Sequence, residues 1–254
     1  MSYLSLAITL IFVIIPLVLS RTLNLGLEKD TLIATVRSII QLLAVGYVLQ
    51  LVFESEHLFY ILLMIILMIA AATQNARKKG VQIKGITWKL VLTFITVEVL
   101  TQGILLGLSI TPTTAQYIIP ISGMVIGNSM VLSILFLNRF ISEVETKSKE
   151  TELILSLGGT PKQAVHKQLI TSIQASTIPT IESQKTIGLV QLPGMMSGQI
   201  IAGADPLQAV LFQLLILFLL LTTAVVTSIM LGYLSYPTLF NERMQFLKLE
   251  KSKK

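Results

Sequence analysis

The chain has 254 residues, 53% of them hydrophobic and only 13% charged, against about 25% charged in an ordinary soluble domain, so much of its apolar surface must face lipid. The net charge of +6 does not indicate nucleic acid, because all 19 Lys and Arg fall in four clusters at the ends of apolar segments, where membrane topology alone accounts for them. With no cysteine, a disulfide framework and a thiolate metal site are excluded, and two histidines far apart in sequence, His57 and His166, do not suggest a zinc enzyme.

A helix needs about 20 apolar residues to cross a bilayer. The mean hydropathy of +0.80 resolves into seven such segments, at about 2–20, 32–52, 58–74, 88–109, 118–138, 186–204 and 207–234. Residues 1–20 lack a basic start and a small-residue cleavage site, so they read as a first span and not as a signal peptide. The basic clusters are Arg21/Lys29/Arg37, Arg77 to Lys89, Arg139 to Lys185 and Arg243 to Lys254, and the loops near 53–57, 110–117 and 204–206 carry none. Since cytoplasmic loops hold the excess of Lys and Arg, the expected topology places the N-terminus outside and the C-terminus in the cytoplasm. The fold class is therefore all-α and polytopic, a single transmembrane domain over 1–254.

Glu98 lies near the middle of the fourth segment. A carboxylate there costs about 2.5–3.5 kcal/mol or more on insertion. It is read either as a working group facing a polar interior or as the structural partner of Arg37 or a backbone group. Thr101 and Gln102, within a turn of it, make the neighbourhood more polar. Two later segments resemble each other: Gly123-Met124 with Gly127-Asn128, and Gly194-Met195-Met196 with Gly198-Gln199. Each follows a proline, Pro120 or Pro193. Two readings stay open. The Gly-x-x-x-Gly spacing lets helices approach closely, or Met124, Asn128, Met195, Met196 and Gln199, with Glu98 and Gln102, line a translocation path on which the two motifs meet. Thioethers suit soft ions and amide or carboxylate oxygens hard ones, so ligand type leaves the ion open. Glu98 and Asp205, the latter at an outer boundary, are the metal-contact candidates. Pro193-Gly194 also interrupts the sixth segment, and such a break is tolerated only inside a bundle or along a cavity.

The stretch 139–185 is the one long polar segment. It predicts a helix over 141–157, a stop at Gly158-Gly159 and a second helix to about 175. Thr160, Pro161 and Gln163 supply a capping box and a proline at the first helical position. The result is a compact elbow on the cytoplasmic side. No Gly-x-x-x-x-Gly-Lys-Ser/Thr occurs, so the chain has no phosphate-binding loop of its own, and no Ser/His/Asp arrangement is plausible. No catalytic residue and no cofactor is expected.

Glu152, six residues before Gly158, resembles the Glu-Ala-Ala-x-x-x-Gly pattern of ABC-transporter permeases, with Leu153 and Ile154 in place of the alanines. The run Leu157-Gly158-Gly159-Thr160-Pro161 resembles the Leu-Gly-Ala-Thr-Pro elbow of such permeases. The stretches 120–130 and 188–206 look like the FetB-like iron-export permease family of bacteria, whose plant relatives act in aluminium tolerance. The resemblance covers essentially the whole chain. It implies the membrane half of an ABC transporter in the cell (inner) membrane, paired as a homodimer with a separate ATPase subunit. Glu152, Gly158, Gly159, Thr160 and Pro161 would be the coupling elbow. The implied cargo is iron or a related metal ion, with a link to oxidative stress. The plant relatives bring an organic cargo, a nucleotide sugar, as the alternative. An ion-coupled secondary transporter using Glu98, and a non-transporting scaffold, are the readings from other classes.

Overall fold

The computed structural model describes residues 9–55 and 57–247, in two units divided at His57/Leu58. In the first, α1 (Ile11–Thr22) and α2 (Glu28–Ser55) form a helical hairpin. Asn24 (φ 52°) and Gly26 (φ 70°) turn the chain through the left-handed region. The buried Ser20 locks that turn, donating to Glu28 Oε1 at 2.7 Å and accepting from Leu27 N at 3.1 Å. Residues 2–8 of the first expected span, over 2–20, lie outside the described residues. Within them its helix is the 12 residues of α1. α2 has the length and composition of a span, and none of its most apolar stretch is buried.

The second unit contains α3 (Leu58–Ala76), a 3₁₀ turn (Arg77–Lys79), α4 (Ile86–Gly107), α5 (Ala115–Thr146), α6 (Ser148–Ser156), α7 (Pro161–Ala164), α8 (His166–Thr186), α9 (Gly194–Ile201), α10 (Pro206–Ser235) and a closing 3₁₀ turn (Tyr236–Leu239). Among the described residues, five helices of the chain are long and apolar enough to cross a membrane: α2, α3 with its 3₁₀ turn, α4, α5 and α10 with the closing turn. The fold is all-helical in its named elements, as the sequence predicts.

α5 is 32 residues long, about 48 Å at 1.5 Å per residue, and so outruns the roughly 30 Å hydrocarbon core. Charge resumes on its final turns, where Glu143 bonds Arg139 at 2.5 Å and Lys147 at 2.6 Å. The main core packs around this end. Phe136 and Phe140 stack with ring centroids 5.3 Å apart, against Leu90 and Phe94 of α4, Leu169 of α8 and Leu231 of α10. Gly232 sets the distance between helices here: a Cβ on it would lie 2.6 Å from Leu169 Cδ1 and 3.2 Å from Phe136 Cζ.

The structure departs from the sequence reading beyond about residue 175. The second helix of the elbow, expected to end there with a polar segment to 185 after it, continues to Thr186 as part of α8, a 21-residue helix packed on α5 and α10. Its small hydroxylated residues Ser172 and Ser176 are fully buried, and the Ser176 and Ser228 hydroxyls bond at 2.8 Å. Hydropathy scores these residues as polar, yet each spends its hydroxyl inside the protein. The expected sixth span over 186–204 is not a continuous helix. Residues 187–193 form an irregular segment, with Val190 N donating to Thr186 O and Gly188 N to Gln191 O, both at 2.9 Å. The eight-residue α9 follows. α8 and α9 together run antiparallel to α10: Ser176 faces Ser228, Gln184 faces Leu217, and Gln199 shares a cavity with Gln208.

Gly232→Leu should destabilise the fold by about 1–3 kcal/mol through overpacking. Gly127→Ala should change little, because its Cβ meets nothing within 4 Å. Thermal unfolding of the purified variants in one detergent checks both.

Candidate functional site: a cavity at a helix break

The interruption at 187–193 borders a cavity of about 410 Å³ between α5, α8 and α10. Six side chains make its wall polar: Asn128 from α5, Thr180, Ser183 and Gln184 from α8, Gln191 from the break and Gln213 from α10. Asn128 Nδ2 donates to Leu220 O at 3.4 Å, and Gln184 Nε2 to Leu217 O at 2.8 Å. Both amides are thereby fixed against the backbone of α10. Gln213 is only 7% exposed, and its Oε1 has no hydrogen-bond partner among the described residues. An unpartnered buried acceptor costs about 1–3 kcal/mol, so this carbonyl is held ready for a donor or a cation. Among the described residues, no Asp, Glu, Lys, Arg or His lines the cavity.

A second cavity, of about 420 Å³, lies further along α10 and includes Gln199, Thr111, Tyr117 and Gln208. α9 joins the two. Its first residue, Gly194, borders the break cavity and its sixth, Gln199, borders the second. Met195 and Met196 lie between them in sequence. Met195 and Met124 both pack against the cluster of Val97, Leu105, Ile121, Val125 and Ile216, and Met196 is buried. Thus Asn128 and Gln199, expected to meet, line separate cavities. Gly127, Gly194 and Gly198 have nothing within 4 Å of a Cβ, and Gly123 meets only Met68 at ordinary contact distance. Within the described residues these glycines therefore do not serve close helix packing.

Glu98 and Gln102 form a distinct polar centre between α4 and α5. Ser122 Oγ donates to Glu98 Oε1 and accepts from Gln102 Nε2 at 2.9 Å. Asp205 stands elsewhere, as the cap of α10, where its Oδ1 accepts from Gln208 N at 3.1 Å. No group of three or more His, Cys, Asp and Glu that could hold a metal ion occurs among the described residues.

At the end of α5 the chain makes the expected helix–turn–helix. The predicted first helix is divided at Lys147 into the end of α5 and α6, and the second at Val165 into α7 and α8. Gly158 takes φ +85°, and Gly159 N returns to Ile154 O at 2.9 Å. A Cβ on Gly159 would lie 2.5 Å from Ile154 Cγ2. The capping box is complete: Thr160 N donates to Gln163 Oε1 at 2.8 Å, Gln163 N donates to Thr160 Oγ1 at 3.3 Å, and Pro161 opens α7. Glu152 is exposed. Beside it Leu153 and Leu157, one turn apart, are 58% and 78% exposed.

The profile of an uncharacterised protein family, UPF0014, matches residues 3–240. The chain belongs to the UPF0014 family. The UPF0014 membrane protein YjkA of Bacillus subtilis is 56% identical over 250 residues, covering 98% of this chain and 100% of the relative. The Escherichia coli protein described as the probable iron export permease protein FetB is 40% identical over 254 residues, covering 98% and 96%. The Arabidopsis thaliana protein ALUMINUM SENSITIVE 3 is 32% identical over 239 residues, covering 94% and 88%. No solved structure matches. The UPF0014 chain is thus a multi-pass membrane protein of a family with a probable permease in it.

Sequence reasoning found Asn128 and the Pro193 break but missed Thr180, Ser183, Gln184, Gln191 and Gln213. For Thr180 and Gln184 the signal was the recurrence of hydroxyl and carboxamide side chains every four residues, at 168, 172, 176, 180 and 184, which is the inward face of α8; Ser183, Gln191 and Gln213 carried no such signal. Gln213→Leu should leave stability unchanged or raise it, since it removes an unpartnered acceptor. Thr227→Val should cost about 0.6 kcal/mol, the usual size of an interhelical hydrogen bond in membranes, because Thr227 bonds Ser129 at 3.2 Å. Thermal midpoints of the two variants check this contrast.

Proposed function

We propose that the chain is the membrane-spanning subunit of an ABC-type exporter, moving iron or a related metal ion and driven by a separate ATPase subunit. The exposed elbow carries this reading. A tightly capped turn presenting Glu152 beside two exposed leucines, Leu153 and Leu157, has the chemistry of a surface that docks into a partner's groove. A solvated loop needs neither the caps nor the leucines. The E. coli relative described as a probable iron export permease supports metal as cargo.

In this reading the chain crosses the inner membrane seven times, with the N-terminus outside and the C-terminus in the cytoplasm. The sixth crossing is the broken pair α8–α9. Two copies pair, since an ATPase dimer offers two grooves. ATP binding draws the elbow residues Glu152, Gly158, Gly159, Thr160 and Pro161 with the ATPase. α5 and α8, which flank the elbow, carry that movement to the break. The cargo path follows α10 through the two cavities, past Asn128, Gln213 and Gln199, with Met124, Met195 and Met196 along it and α9 as the gate between them. Asp205 borders the outer exit. A role in resistance to oxidative stress follows for an iron exporter. A second reading, an organic cargo such as a nucleotide sugar, draws on the break cavity. Its wall of carboxamides and hydroxyls suits a solute rich in hydrogen-bonding groups.

Cells lacking the chain should accumulate iron. The wild type should restore the normal content, while Glu152→Lys and Leu157→Asp, at equal expression, should not. Total cellular metal by mass spectrometry decides. Unchanged metals in the deletion would move the assignment to the organic cargo. Normal iron in the Glu152→Lys strain would remove the elbow from the mechanism.

A further inference from the structure

The Glu98 centre is built differently from the cavities. Glu98 is 5% exposed, Gln102 9% and Ser122 0%, and none of them lines either cavity along α10. Its hydrogens can be counted. Ser122 gives its one hydroxyl hydrogen to Glu98 Oε1. Gln102 gives its two amide hydrogens to Ser122 Oγ and Ile118 O. The Thr101 hydroxyl is spent on Val97 O and Glu98 O. Every donor of these side chains is then used, while Glu98 Oε2 and Gln102 Oε1 have no partner among the described residues. Glu98 and Gln102 are four residues apart on α4, so their side chains share one face.

The charge balance leaves the same deficit. α3, α5, α10 and the Arg77–Lys79 turn pack against α4. α10 contains no Asp, Glu, Lys, Arg or His, and its titratable residue is Tyr233, at the far end. α3 offers Tyr60 alone. On α5 the titratable residues are Tyr117, near the start, and Arg139, Glu143 and Glu145, the nearest of which is 17 residues beyond Ser122, about 25 Å along the helix. Arg77, Lys78 and Lys79 precede α4, whose first residue is about 18 Å from Glu98 along the axis. Lys89 lies on α4 itself, more than two turns before Glu98, and donates to Thr238 Oγ1 at 2.8 Å. None of the ion pairs found within this unit includes Glu98. An isolated carboxylate in hydrocarbon is not tolerated without pairing or neutralisation.

We propose that Glu98 and Gln102 form a binding site for one proton. Held between Glu98 Oε2 and Gln102 Oε1, the proton supplies both the missing charge and the missing donor. A metal ion without its water needs about six oxygen ligands, and these two do not supply them. The site depends on α4 and α5 staying packed, because two of its groups stand on α4 and Ser122 on α5. Separation of these helices admits water to the carboxylate, and the proton leaves to that water. Binding therefore favours the packed form by mass action, and a transport cycle that parts α4 from α5 releases one proton per chain. This site stands whatever the cargo is.

The test uses the purified full-length chain in detergent. Infrared spectra of the wild type and Glu98→Gln are compared, and thermal midpoints are followed with added Na⁺, Mg²⁺ or Mn²⁺ against choline at equal ionic strength. A protonated carboxylic acid band at neutral pH, lost in Glu98→Gln, identifies the proton as occupant. No such band, with a midpoint raised by a metal ion and not by choline, overturns the proposal in favour of that ion. Should Glu98→Gln fail to fold, Gln102→Leu replaces it, and its acid band shifts with loss of the neighbouring carbonyl. An ionised Glu98 at neutral pH, or an acid band unchanged in the variants, overturns the proposal.

Discussion

A polar group inside hydrocarbon must find its partner within the protein. In the second unit two interhelical pairs meet this demand, Thr227 with Ser129 and Ser176 with Ser228. The same demand makes the break at 187–193 informative. Its backbone closes two turns on itself, and its remaining polar groups border a cavity walled by amides and hydroxyls. A break in this position is sustained by the space it lines, and so the break and the cavity are one feature.

The elbow and the cavity are joined by two rigid elements. α5 carries Ser122 and Asn128 in its first half and ends at α6. α8 starts just past α7 and ends at the break. Thr151 ties the two at the elbow: it is fully buried, accepts from Gln168 Nε2 at 3.1 Å and sits within reach of Ala164 O. A force on α6 is therefore passed to both helices at once. In the proposed transporter this arrangement turns docking at Glu152 and Leu157 into motion at Asn128 and Gln184, the side chains that grip the backbone of α10.

The apolar helices and the elbow were legible in the sequence because their signals are local. A run of apolar residues determines a span, and Thr160, Pro161 and Gln163 determine a cap. Pro193-Gly194 announced a break for the same reason. α8 was not legible as part of the bundle, because Ser172, Ser176 and Gln168 look hydrophilic one by one and become interior only when α5 and α10 supply their partners. Glycine spacing misled in the opposite sense. Gly123/Gly127 and Gly194/Gly198 have the pattern of close-packed helices, yet the glycine that fixes a helix crossing is Gly232, which stands in no such motif. Glu98 could be singled out by its cost in the membrane, but its bond to Ser122, across 24 residues, required the fold.

The central claim is that the cavity at the helix break lies on an aqueous path whose opening follows the ATPase cycle. The chain contains no cysteine, so Gln191→Cys and Gln213→Cys each introduce a single reactive thiol. Reaction with a small, charged, membrane-impermeant thiol reagent is then measured in the assembled transporter with and without ATP. The account predicts that both thiols react, and that the rate changes several-fold between the two states. Thiols that react only with a lipid-soluble reagent, at one rate in both states, would contradict it.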